Sequence, residues 1–376
     1  MEPTTHLRRV LAAALAAAAL AAVSGAVALA QGGGSGPDSP PPRDPTAGLT
    51  ARQLVGQTMV FSYDGTSPPA GLRRRIARGE AAGIILFADN VGTRARLRAT
   101  MRGLQAIRRP AALRAPLLVM IDQEGGLVKR LSGPPTRSPA QLGRIGSAAL
   151  ARREGRATAA NLRDAGVNVN LAPVMDAGRR GSYQARTGRS YSSDPARVAA
   201  LGSAFVRGLQ EGGVAATLKH FPGLGTVARN EDDVAQTVRL PLATLRRLDE
   251  APFVAGARAG AKLVMTSTAI YPAMSRRPAM LSPRISTREL RGHAGFRGVA
   301  ITDDINVVAL RRFGSPATLG RLSLQAGNDL LLYCGGYATG AASADALARA
   351  AAAGRIDRAA LRASVRRNLA LRAGLR

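Results

Sequence analysis

The chain has 376 residues and a formal net charge of +29, from 53 Lys and Arg against 24 Asp and Glu. A single cysteine, Cys334, excludes an intrachain disulfide and a cysteine-based zinc site, and three histidines (His6, His220, His293) are too few for a multi-histidine metal centre. Aromatic residues make up 3%, Trp is absent and the arginines are scattered in pairs such as Arg74 and Arg75, so the charge lacks the stacking platform of a nucleic-acid binder; it reads as a solvated surface, with attraction to an anionic envelope as its other use.

The N-terminal 30 residues carry the signal-peptide pattern. Arg8 and Arg9 precede an apolar run over 10–23, and Ala28-Leu29-Ala30 offers a small-residue cleavage site before Gln31. An uncleaved N-terminal anchor is the rival reading. Residues 31–47 are rich in Gly, Ser and Pro and read as a tether. The folded domain is expected over 48–376.

From there, short apolar runs alternate with helical patterns. The runs cover 54–61, 83–87, 117–121, 167–173, 214–218, 263–265, 299–301 and 330–333. Amphipathic helix patterns lie between them, for example over 94–107, 148–165 and 195–211, and 356–375 reads as a closing helix. The runs are continuous rather than alternating, as expected of parallel strands buried on both faces. Eight such repeats predict an α/β fold, a single (β/α)8 TIM-type barrel. An open doubly wound sheet is the alternative, but no G-x-G-x-x-G follows the first run.

Barrel enzymes place their chemistry at the C-terminal ends of strands. The third run leads into Asp122-Gln123-Glu124-Gly125-Gly126, the fourth into Ala172-Pro173-Val174-Met175-Asp176, the fifth into Lys219-His220-Phe221-Pro222-Gly223 and the seventh into Thr302-Asp303-Asp304. One such acid caps a helix; four strands delivering acids and bases to one rim predict a converging polar site. Carboxylates without a metal cluster suit glycoside hydrolysis, which needs one at the anomeric carbon and a proton donor at the leaving oxygen. Lys219 is one of three lysines in a chain that otherwise uses Arg, which favours a role for it.

These rim segments resemble glycoside hydrolase family 3, most of all its single-barrel β-N-acetylhexosaminidases. The matching pieces run in family order: Ile121-Asp122-Gln123-Glu124-Gly125-Gly126 with Arg130, Asn170 to Asp176, Gly188-Arg189-Ser190-Tyr191, Lys219 to Gly223, and Gly298 to Asp304, with echoes in Ala279-Met280-Leu281-Ser282 and Ala326 to Leu330. The resemblance implies a retaining exo-hydrolase of terminal β-linked N-acetylglucosamine, with Asp303 as nucleophile. It implies that Asp122, Arg130, Arg189, Lys219 and His220 hold the sugar hydroxyls. Asp176 and Asp304 are read as structural, and Glu124 as a buried brace for its loop. No metal and no organic cofactor is expected. The implied partner is a β-linked saccharide, such as a cell-wall fragment. A β-glucosidase or xylosidase of the same family, or an inactive saccharide-binding barrel, are the competing readings. Larger family members add a second α/β domain that supplies the acid/base, and the chain ends too soon for one.

Two departures matter. The Asp-x-His pair of the related hexosaminidases is replaced by Asn230-Glu231-Asp232, and a His common after the sixth strand is replaced near Thr268. The acid/base position therefore falls on Asp232, with Glu231 and Asp233 as neighbouring candidates, on a loop expected to close over substrate.

Overall fold

The structure, a computed structural model, describes residues 44–375. The signal segment and positions 31–43 of the tether lie outside the described residues. No helix among the described residues is long and apolar enough to cross a membrane.

Eight parallel strands close into a barrel: β1 (Met59–Phe61), β2 (Gly83–Leu86), β3 (Leu118–Ile121), β4 (Val169–Asn170), β5 (Ala215–Phe221), β6 (Leu263–Thr266), β7 (Val299–Asp304) and β8 (Leu330–Tyr333). Each strand pairs with its sequence neighbours, and β8 closes onto β1 with Met59 opposite Leu331. The continuous apolar runs divide by alternate residues. Leu118, Met120, Leu263, Met265, Val299, Ile301, Leu330 and Leu332 point into the barrel and pack on one another. Val119, Ile121, Val264, Ala300, Leu331 and Tyr333 point outward beneath the helices. Both faces exclude water, so neither needs polar residues, and each fully buried side chain contributes about 1.5–3 kcal/mol.

Local chemistry shifts some boundaries from the expected ones. The run over 54–61 is not all strand: its first residues end a helix, Ala51–Gly56. Thr50 caps that helix, its hydroxyl accepting the Gln53 N–H at 3.2 Å while Gln53 accepts the Thr50 N–H at 3.1 Å. The fourth run is regular strand only at Val169–Asn170; beyond it single ladder bonds continue, Leu171 N–H to the Ile121 carbonyl at 2.8 Å and Thr217 N–H to the Ala172 carbonyl at 3.0 Å, on to Pro173, whose nitrogen has no hydrogen to give. β5 runs three residues further than expected and takes Lys219 and His220 into the strand itself. The closing helix is Arg358–Ala373, capped by Asp357, which accepts the N–H groups of Ala359 and Ala360 at 2.8 and 3.1 Å. Residues 44–47, composed like the tether, form a turn in which Thr46 is buried and Asp44 meets Arg366 at 2.9 Å.

After β3 the chain makes a small antiparallel ribbon, Gln123–Gly125 with Val128–Lys129. Its turn needs the paired glycines. Gly125 and Gly126 have φ of 95° and 65°, and a Cβ on Gly125 would sit 2.4 Å from the Arg137 carbonyl oxygen. That turn sets Glu124 under the rim and swings Arg130 back over it.

Candidate active site

The loops at the C-terminal ends of the strands enclose a cavity of about 270 Å³. Asp122, Arg130, Arg189, Lys219, His220, Asp232 and Asp303 all line it, so the seven positions singled out in the sequence converge on one space. Each arrives from a different element: Asp122 follows β3, Arg130 follows the ribbon, Arg189 lies in the long connection after β4, Lys219 and His220 end β5, Asp232 lies in the loop after β5, and Asp303 ends β7.

A buried charge network fixes the cationic wall. Lys219 Nζ donates to Asp122 Oδ1 at 2.7 Å and meets Glu124 Oε1 at 2.8 Å. Arg189 grips Glu124 through two parallel bonds, Nε to Oε2 at 2.9 Å and Nη2 to Oε1 at 2.8 Å. Burial pushes the Glu124 carboxyl upward, but the charges and hydrogen bonds of Arg189 and Lys219 outweigh it and hold it at about 2. Burial likewise opposes the Lys219 charge, and Asp122 and Glu124 overcome that opposition and raise its pKa. Glu124 therefore acts through Lys219 and Arg189, orienting their remaining donors toward the cavity. Arg130 stands 3.8 Å from Asp122 with its guanidinium 5.8 Å from the Phe87 ring centroid.

Asp176 plays the same part for His220. Its Oδ2 lies 2.8 Å from His220 Nδ1, while its Oδ1 accepts the backbone N–H groups of His220 and Leu224 at 3.2 and 2.9 Å. A carboxylate committed to backbone donors places the imidazole proton on Nδ1 and leaves Nε2 for the cavity.

Asp303 differs from the other carboxylates. It accepts the Asp304 N–H at 2.8 Å, and no cation forms an ion pair with it among the described residues. Asp304 is tied to the scaffold instead: its Oδ1 accepts the N–H groups of Asn306 and Cys334 at 2.9 and 3.0 Å, joining the ends of β7 and β8. Burial pushes its carboxyl up to about 6.

The loop after β5 is docked over the cavity. The N–H of Ile270 donates to the Gln236 carbonyl at 2.9 Å, and that of Val238 to the Ile270 carbonyl at 2.8 Å. Asp232 lines the cavity at its mouth, in reach of solvent yet crowded by protein; this crowding and the Asp303 charge push its carboxyl up to about 7, against the pull of His220. Asp233 is exposed and accepts from Asn230 at 3.3 Å. Glu231 is buried at the cavity wall, its Oε2 accepting both the N–H and the hydroxyl of Thr268, at 3.1 and 3.0 Å.

Reasoning from sequence missed several lining residues. Phe87 ends the run of β2, and its place at the rim was open to inference. Gln184, buried with an unpartnered Oε1, and Tyr183 lie in a one-turn helix, Tyr183–Arg186, marked in the sequence only by its Ser182 cap. Two groupings bring His and carboxylate ligand atoms within 4.8 Å of one another: His220, Glu231 and Asp303 in the cavity, and Glu250, Glu289 and His293 outside it. In the second, Arg246 already holds Glu289 at 2.6 and 3.0 Å.

The glycosyl hydrolase family 3 N-terminal domain matches residues 52–371. A secreted glycosyl hydrolase of Arthroderma benhamiae is 38% identical over 302 residues, covering 78% of this chain and 85% of its own length. A β-hexosaminidase of Xanthomonas oryzae pv. oryzae is 39% identical over 285 residues, covering 73% of this chain and 83% of its own. Among solved structures, a family 3 β-N-acetylglucosaminidase from a Paenibacillus species superposes with a TM-score of 0.81 at 35% identity, over 87% of this chain and 63% of that one. A β-N-acetylhexosaminidase from Beutenbergia cavernae gives 0.78 at 32% identity, over 86% of this chain and 98% of that one. With the strand order, the rim motifs and these matches in agreement, the chain belongs to glycoside hydrolase family 3.

Proposed function

We propose that this protein is a retaining, exo-acting β-N-acetylhexosaminidase that removes terminal β-linked N-acetylglucosamine. The observation that carries the proposal is the contrast within one cavity: Asp303 has no cationic partner among the described residues, while Lys219, Arg189 and His220 are each locked by a carboxylate behind them. A pocket of about 270 Å³ suits one sugar ring and so a chain end rather than a chain interior. The named activities of the Xanthomonas and Beutenbergia relatives support the choice of sugar.

In the mechanism, an Asp303 oxygen attacks the anomeric carbon as the bond to the leaving oxygen breaks. The Asp232 carboxyl gives that oxygen its proton, because a sugar alkoxide is a poor leaving group. The glycosyl–Asp303 ester is then opened by water, whose proton returns to the Asp232 carboxylate. Asp122, Arg130, Arg189, Lys219 and His220 hold the ring hydroxyls through both steps. A carboxyl pushed up to about 7 is available in both protonation states near neutrality, as this cycle requires. The signal-like N-terminus and the name of the Arthroderma relative support action outside the cytoplasm, on envelope or wall saccharides.

A panel of aryl β-glycosides tests the reading. Hydrolysis of the N-acetylglucosaminide, with little action on the glucoside and xyloside, is expected. Preference for either of those sugars would move the protein to another branch of the family, and binding without turnover would make it a saccharide-binding barrel.

A further inference from the structure

The mechanism leaves Glu231 unused, yet it is a buried acid at the cavity wall. It is 4% exposed, and no Lys or Arg forms an ion pair with it among the described residues. Its surroundings are acidic on every side but one: Asp303 from β7, Asp176 beyond β4, Asp232 beside it in its own loop, with the Tyr271 hydroxyl from the loop after β6, and only His220 from β5 to offset them. A second negative charge there has nothing to balance it, so the neutral acid is the stable form.

The hydrogen bonds favour one of its two oxygens for the proton. Oε2 accepts the Thr268 N–H at 3.1 Å and lies 3.0 Å from the Thr268 hydroxyl, which suits the carbonyl-type oxygen. Oε1 is buried with no partner. A Glu231 carboxyl oxygen, an Asp303 carboxyl oxygen and a His220 ring nitrogen lie within 4.8 Å of one another. Terminal carboxyl torsions are soft, so rotation of either carboxyl can bring the unpartnered Oε1 toward Asp303.

Resting on the assignment of Asp303 as nucleophile, we infer that Glu231 is a positioning residue, a neutral acid held by Thr268 whose Oε1–H donates to the Asp303 carboxylate. The donor keeps the nucleophile ionised and aims its other oxygen at the anomeric carbon. Once the glycosyl ester has formed, the same O–H rests on its carbonyl oxygen. Thr268 supplies the acceptor-fixing donors, so positions 231 and 268 work as one unit.

Two variants of near-native volume test this: Glu231→Gln, which keeps a donor and an acceptor but has no acidic proton, and Glu231→Met, which has neither. The readouts are the pH profile of kcat/KM on an aryl N-acetyl-β-glucosaminide, thermal melting, and covalent labelling of Asp303 by a fluorinated activated glycoside. Glu231→Met is expected to lose roughly 10- to 100-fold in kcat/KM, the worth of a hydrogen bond to a charged group, with the acid limb moving to higher pH by about one unit. Glu231→Gln is expected to stay within about threefold of the parent, with the limb little moved. An acid limb that moves to lower pH in Glu231→Met would mean an ionised Glu231 and overturn the inference. So would Gln and Met variants equally impaired, which would make Glu231 a proton donor, or both unchanged. If the unaltered protein is not labelled at Asp303, the underlying reading has failed instead; labelling at Asp303 with Gln and Met indistinguishable sinks only this inference.

Discussion

Replacing Glu124 by Gln keeps the side chain's shape and removes the charge between Lys219 and Arg189. The side chain is fully buried, and its carboxyl is held at about 2 against an ordinary value of 4.5. Because the folded value is depressed, the stabilisation is fully present above the unfolded value and is lost as pH falls through the folded one. The difference corresponds to about 3 kcal/mol at neutral pH, in the range for breaking a buried ion pair, where two cations are left undercompensated. In a barrel of this size that is a fall in Tm of about 4 °C. Thermal melts of parent and Glu124→Gln should differ by that amount at pH 7, and the difference should shrink between about pH 4.5 and 2, measurably by pH 3. Catalysis should suffer too, as a raised KM, because Lys219 and Arg189 lose the group that orients them. A Tm difference as large at pH 3 as at pH 7, or no difference at either, would refute the view of Glu124 as an ionised brace.

The acid/base assignment predicts that kcat/KM falls as pH rises through about 7, where Asp232 loses its proton, and that Asp232→Ala abolishes this limb. The same variant should lose far more activity on a substrate with a sugar leaving group than on an activated aryl glycoside; equal small losses would exclude Asp232. Asp176→Asn should lower kcat/KM roughly 10- to 100-fold through the freed His220 imidazole, with melting little changed, and wild-type kinetics would show that the His220 tautomer does not matter. Chelation should leave turnover intact; loss on chelation with recovery on adding a divalent ion would bring the grouping of His220, Glu231 and Asp303 into play as a metal site.

The barrel was legible because strands buried on both faces must be apolar throughout, and runs such as 117–121 and 330–333 map onto β3 and β8 almost residue for residue. Boundaries slipped where backbone chemistry overrides pattern, as when the Thr50 cap draws Leu54 into a helix. The polar residues of the strand ends were legible for the same reason: an acid or base directly after an apolar run has only the rim to occupy. The loop acids were not. Glu231 owes its burial to Thr268, 37 residues further along the chain, a contact that no local spacing encodes. Asp232 and Asp233 are adjacent in sequence and both reach solvent, yet the docked loop turns only Asp232 toward the cavity.

The central claim is that Asp303 is the nucleophile of an N-acetylglucosamine hydrolase. It is tested most directly by turnover of an aryl N-acetyl-β-glucosaminide by the protein and by its Asp303→Asn variant. Asn keeps the shape and the Asp304 N–H contact but lacks the attacking charge. The protein should turn over, and the variant should fall by about a thousandfold or more while still binding the product sugar. Undiminished turnover by Asp303→Asn would contradict the claim.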